Sequence, residues 1–142
     1  MTNDLSIKKL ADDLVAFVGE RDWQQFHSPK NLAMALSVET AELTEIFQWQ
    51  TEQESYAPDE KTLNRIKEEV GDVMIYLTML AQKFNINPIE AADIKMARNR
   101  QKYPADKVRG KSEKYDTYWK EGPWETGYLA VLFYTSTTKQ TS

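Results

Sequence analysis

The chain's clearest capacity for chemistry lies in two acid pairs at helical spacing, Glu39-x-x-Glu42 and Glu69-x-x-Asp72. Carboxylates three positions apart share a helix face, so each pair presents hard oxygen ligands side by side. Two carboxylates ~5 Å apart repel by roughly 3 kcal/mol at an effective dielectric near 20. Several such pairs would consume much of the ~5–15 kcal/mol that holds a typical domain together. Relief comes from protonation, from a paired lysine or arginine, or from a divalent cation. Oxygen-only clusters suit Mg²⁺ or Mn²⁺ rather than Zn²⁺, and Mg²⁺ commonly binds through carboxylates together with substrate phosphates. From spacing alone, solvated or salt-bridged acids are an equally good reading.

Helices must position these acids, and their punctuation is legible. A first helix spans about 5–19, with Leu10, Leu14, Phe17 and Val18 on one side. A second opens at Ser28-Pro29, a capping residue followed by proline at the first helical position, and runs to about residue 50. The polar stretch 51–58 reads as a loop, and Asp59 caps a third helix that continues to about residue 84. Asn87-Pro88-Ile89-Glu90 opens a fourth, which stops before Tyr103-Pro104 because the residue preceding proline resists the α conformation. Residues 1 to about 103 therefore read as an all-α bundle.

Advancing about 100° per residue along the second helix, Leu32, Ala35, Leu36, Leu43, Ile46 and Phe47 form one apolar arc. Glu39 falls in the middle of it, where an unpaired carboxylate should not be. Glu42 lies at its edge, between Ala35 and Trp49. Glu45 turns towards the solvated side marked by Ser37, Thr44 and Gln48. The third helix has its main apolar stripe at Leu63, Ile66, Val70, Val73, Leu77, Leu80 and Phe84. Asp72 is off that stripe, yet Ile75, Tyr76 and Met79 flank it as a second, smaller buried face. Glu68 and Glu69 are both helical neighbours of Asp72, and helix geometry does not choose between them.

At 142 residues the chain is one domain by length, and its formal net charge of -4 argues against a general nucleic-acid binder. The absence of cysteine excludes disulfides, thiolate zinc sites and a cysteine nucleophile. The N-terminus lacks a signal-peptide pattern and no apolar run approaches ~20 residues, so no membrane span and a cytoplasmic location are expected. After Pro104 the character changes: 107–114 is basic, and 115–142 is rich in aromatics, Thr and Ser. The segment 128–134 (YLAVLFY) has strand-like composition. An irregular or partly extended C-terminal tail over 112–142 is expected, following an all-α domain over 1–111.

Phe26-His27-Ser28-Pro29-Lys30-Asn31, Glu39-Thr-Ala-Glu42 through Phe47-Gln-Trp49, Glu68-Glu69-Val-Gly-Asp72 and Lys95-Met-Ala-Arg-Asn99 through Tyr103-Pro104 stand in that order. Together they resemble the MazG-type all-α nucleoside triphosphate pyrophosphohydrolases, and within them the dCTP pyrophosphatase-like branch. The resemblance covers about 23–110. It implies a four-helix MazG-like bundle and Mg²⁺-dependent hydrolysis of a deoxynucleoside triphosphate, dCTP or a modified dCTP, to monophosphate and pyrophosphate in nucleotide-pool cleaning. It carries the metal-ligand and catalytic roles onto Glu39, Glu42, Glu69 and Asp72, choosing Glu69 over Glu68. It implies that Trp23, His27 and Trp49 line a pyrimidine pocket, with Tyr76 a further substrate-binding residue; Lys95 and Asn99, one turn apart on the fourth helix, could together contact phosphate or sugar, with Lys102 and Arg109 in reserve. One departure is Val38, where relatives usually have glycine. Without the resemblance, Trp23 and Trp49 read as core or interface residues and His27 as a surface or capping residue.

A small helical unit exposes part of its apolar faces, so a homo-oligomer is expected; relatives of this branch are tetramers built as dimers of dimers. Competing readings are a dUTPase-like or phosphoribosyl-ATP pyrophosphohydrolase activity, or a non-enzymatic helical metal-binding module.

Overall fold

Residues 5–112 are described by the structure, a computed structural model. The strand-like segment 128–134 and the expected tail beyond residue 112 lie outside them. Among the described residues the secondary structure is entirely helical, and no helix is long and apolar enough to cross a membrane.

Each long helix starts where a capping side chain is available. Helix α1 (Ile7–Glu20) begins at Ser6, whose hydroxyl accepts from the Lys9 N–H at 3.1 Å. It ends in a left-handed residue, Asp22 (φ 51), with the Asp22 and Trp23 N–H groups donating to the Gly19 and Val18 carbonyls, both at 3.1 Å. That is the Schellman closure, and it sets the exit direction of Trp23. A 3₁₀ turn (Gln24–Phe26) follows, and the Asn31 side chain donates back to the Phe26 carbonyl at 2.9 Å. Ser28 then caps α2 (Pro29–Phe47), accepting from the Asn31 N–H at 3.1 Å.

The expected loop 51–58 instead holds one helical turn, α3 (Glu52–Ser55). Thr51 and Glu54 form a reciprocal capping box, which satisfies enough orphan backbone groups for a single turn to form. Asp59 caps α4 (Glu60–Gln82), accepting from the Thr62 N–H at 2.7 Å. At the far end Asn85 (φ 53) repeats the left-handed exit, with the Ile86 N–H on the Ala81 carbonyl at 3.0 Å. Asn87 accepts from the Ile89 and Glu90 N–H groups at the start of α5 (Pro88–Lys102), and a last turn, α6 (Ala105–Val108), follows Pro104.

The chain divides into two compact units, whose described parts are residues 5–92 and 93–112. In the first, α4 packs chiefly against α2 and to a lesser extent against α1. Leu32 meets Met79 in the core, and seven residues further along α2 Glu39 meets Asp72, seven residues back along α4. The two helices are therefore antiparallel. Leu32, 1% exposed, is the centre of a core shared with Leu14, Val18 and Met79, and Leu10, Ile75, Tyr76 and Leu80 pack around it.

This core corrects the expected order of the two faces of α4. The smaller face of Ile75, Tyr76 and Met79, joined by Leu80 from the larger stripe, packs in the core of the first unit. On the larger stripe, Leu63, Val70, Leu77 and Phe84 are exposed. Periodicity counts apolar residues on a face; it does not say which face the other helices of the same chain can cover. A further tie is polar: the Gln82 side-chain amide donates to the Ala11 carbonyl at 2.9 Å, joining α4 to α1.

Candidate metal and nucleotide site

The antiparallel register brings acids from two helices to one place. One carboxylate oxygen from each of Glu39, Glu69 and Asp72 lies within 4.8 Å of the others. Glu39 and Glu69 are half-buried, because Glu39 sits in the apolar arc of α2 and Glu69 faces it across the helix pair. Glu42 is exposed and outside that tightest group, but close enough for its charge to act on both Glu39 and Glu69. Glu45 and Glu68 are exposed and take no part in the tight group. The choice between Glu68 and Glu69, open from helix geometry, follows from the way α4 rolls onto α2.

Electrostatics register the crowding. Partial burial raises the Glu39 carboxyl above its ordinary range, and the charges of Asp72, Glu42 and Glu69 raise it further. Glu69 is likewise raised, first by desolvation and then by Glu42 and Asp72, while Arg65 one turn away offsets part of this. The ion pairs Lys8–Asp12, Lys9–Asp13 and Arg21–Glu20 lie away from the cluster. The donor set fits a hard divalent cation. It consists of carboxylate oxygens only, converging from two rigid helices, with excess negative charge that a cation would neutralise.

The expected aromatic residues divide. Trp23 stands edge-on to Phe17 at 5.9 Å and to His27 at 6.5 Å between ring centroids. Arg21 lies 3.7 Å over the Phe17 ring and donates to the Phe17 carbonyl. Tyr76 packs against the core, one turn of α4 from Asp72. Trp49, just past α2, is 88% exposed. Lys95 and Asn99 lie in the second unit, where Asn99 lines a cavity of about 460 Å³ with Met96, Tyr103 and Val108.

Two features escaped the sequence. The first is a cavity of about 220 Å³ at the end of the α2–α4 pair, with Leu14, Leu32 and Met79 in its wall and His27 and Gln82 among its polar groups. The second is the Gln82–Ala11 hydrogen bond. Its signal was present: Gln82 continues the Ile75–Met79 face by one more turn, a polar residue where the pattern asks for an apolar one.

The described residues thus form an all-helical fold in which acids of α2 and α4 meet across an antiparallel helix pair. The chain belongs to the MazG-like family: that family's model matches residues 34–117, more than half of the sequence. It is 44% identical over 103 residues to the dCTP pyrophosphatase 1 of Homo sapiens and 43% identical over the same length to that of Mus musculus. These matches take in 70% of this chain and 59% of each relative, so the chain spans under two thirds of the length of the curated relatives it matches. A crystal structure of a pyrophosphatase from Archaeoglobus fulgidus DSM 4304 is similar in fold, with a TM-score of 0.66 and 42% identity. That likeness covers 73% of this chain and 97% of the archaeal one.

Proposed function

We propose that this chain is a Mg²⁺-dependent nucleoside triphosphate pyrophosphohydrolase acting on dCTP or a modified dCTP in nucleotide-pool cleaning. The observation that carries the proposal is the convergence of Glu39, Glu69 and Asp72 across α2 and α4 in a member of the MazG-like family. Relatives named as pyrophosphatases, at 42–44% identity, support it. Glu39, Glu69 and Asp72, with Glu42 beside them, would hold Mg²⁺ or Mn²⁺, which when bound neutralises charge developing on the phosphate chain.

The chain's own residues do the rest. A carboxylate of the cluster takes a proton from water as the water oxygen attacks the α-phosphorus. The bond from that phosphorus to the α–β bridging oxygen breaks, and pyrophosphate leaves with the electron pair. Glu39 and Glu42 are the candidates for this base; the raised proton affinity of Glu39 brings it nearer to the working pH. Trp23, His27 and Tyr76, all in the first unit, would hold the base; the exposed Trp49 lies at the other end of the 19-residue α2 from His27, about 28 Å away, and would reach that base only from another copy of the chain. Lys95 and Asn99, one turn apart on α5, are kept for phosphate or sugar contact. A four-helix bundle assembled as a dimer of dimers completes the reading, supported by the uncovered apolar stripe of α4.

The test is incubation with each deoxynucleoside triphosphate and Mg²⁺, followed by product analysis. Monophosphate plus pyrophosphate is expected, with turnover lost in Asp72→Ala while helical circular dichroism is retained. Diphosphate plus inorganic phosphate, or a fully active Asp72→Ala protein, would overturn the assignment.

A further inference from the structure

The cavity beside Leu32 and Met79 lies seven residues from Glu39 along α2 and seven from Asp72 along α4. Seven helical residues cover about 10 Å, comparable to the reach from the phosphate chain of a nucleotide to its base. At about 220 Å³ the cavity is smaller than a drug-sized pocket and suited to a single heterocyclic ring. Its wall is largely apolar, with Gln24, His27, Gln82 and Lys83 supplying the polar atoms.

Gln82 differs from the other three because its amide is already oriented. A carbonyl oxygen only accepts, so the group facing Ala11 at 2.9 Å must be the Gln82 NH₂. Ala11 does not line this cavity; it lines a neighbouring one, and Gln82 borders both. With Nε2 committed to Ala11, the remaining amide atom, Oε1, accepts from no group among the described residues. A half-buried acceptor held in this way is a fixed question put to whatever enters: it rewards a donor and penalises another acceptor.

We propose that Gln82 is a specificity-determining residue, whose Oε1 accepts a hydrogen bond from the exocyclic amino group of a cytosine-type base in this cavity. The inference rests on the pyrophosphohydrolase reading above and goes beyond it by naming the atom that reads the base. A carbonyl in place of the amino group would set two acceptors against each other. The Nε2 bond to Ala11 keeps the amide from flipping to accommodate it.

The test compares kcat/KM for dCTP, for dUTP, and for the deoxynucleoside triphosphate of pyrimidin-2-one, which carries hydrogen in place of the amino group. The parent protein is expected to favour dCTP over both by at least about tenfold. In Gln82→Leu the preference narrows to near unity, with dCTP carrying the larger loss. Equal turnover of the three substrates by the parent would overturn the inference, as would a Gln82→Leu protein that keeps the parent ratio. If Gln82 were only a tie between α1 and α4, its replacement would lower all three alike, again overturning the inference. Should Gln82→Leu lose its helical circular dichroism, the parent's preference among the three substrates decides. Pyrophosphate from none of them would overturn the pyrophosphohydrolase reading and this inference together.

Discussion

Glu39 is the residue on which the site turns, and its cost to the fold is measurable. Its carboxyl is raised by partial burial and by Asp72, Glu42 and Glu69. A carboxyl raised in the folded state contributes stability that is present below its unfolded value and lost as pH rises through the folded value. Glu69 acts in the same sense, and the clustered groups titrate together. Asp59 and Glu54 act oppositely. Their hydrogen bonds from Thr62 and Thr51 lower them, so their contribution is lost only at more acid pH. The metal-free protein should therefore gain thermal stability as pH falls from neutrality through the raised Glu39 and Glu69 values towards the ordinary carboxyl value of 4.5. Glu39→Gln should remove much of that slope and raise the midpoint at neutral pH by roughly 2–5 °C. Added Mg²⁺ should raise the parent midpoint more than that of the variant, since a ligand that binds only the native state stabilises it. Thermal melts in chelator across that pH range check this; a parent midpoint that is flat or falls as pH is lowered would refute it.

At the scale of elements, what was legible in the sequence is what local chemistry decides. The helix starts at Ser28, Asp59 and Asn87 are fixed by side chains that accept from the first-turn N–H groups, and each stands where the sequence puts it. Ser28→Ala should cost about 1 kcal/mol by freeing the Asn31 N–H, read as a lower midpoint in urea or heat, and unchanged stability would show that Pro29 alone suffices to start α2. The single turn α3 was missed because Thr51-x-x-Glu54 lies in a stretch with no apolar periodicity, so the capping signature had no helix pattern to announce. The faces of α4 were misordered for a different reason. The stripe from Leu63 to Phe84 has more apolar residues, but Ile75, Tyr76 and Met79 are the ones that α1 and α2 reach. The acid pairs were visible as spacing. That Glu39, Glu69 and Asp72 meet depends on the α2–α4 register, which no local pattern encodes.

At the scale of the whole molecule, the first unit keeps few residues truly buried and leaves much apolar surface uncovered. Val70, Met74 and Leu77 on α4 are exposed, as are Leu5 and Ile89. Leu5, Leu10, Met74, Leu77 and Ile89 line one groove of about 670 Å³. Soluble monomers rarely leave contiguous apolar patches larger than a few hundred Å², and a helical stripe of this length is self-complementary under a two-fold axis. An oligomer built on this face would also hold α4 straight along the stretch that carries Glu69 and Asp72, so assembly and activity should fail together. Leu77→Glu places a charge on the stripe while leaving the acids and the Leu32–Met79 core untouched. It should shift the protein to a smaller species in light scattering, lower its thermal midpoint, and make both that midpoint and turnover depend on protein concentration. A parent protein that is monomeric at micromolar concentration, or a Leu77→Glu protein of unchanged mass and midpoint, would show that this stripe is not the contact between copies.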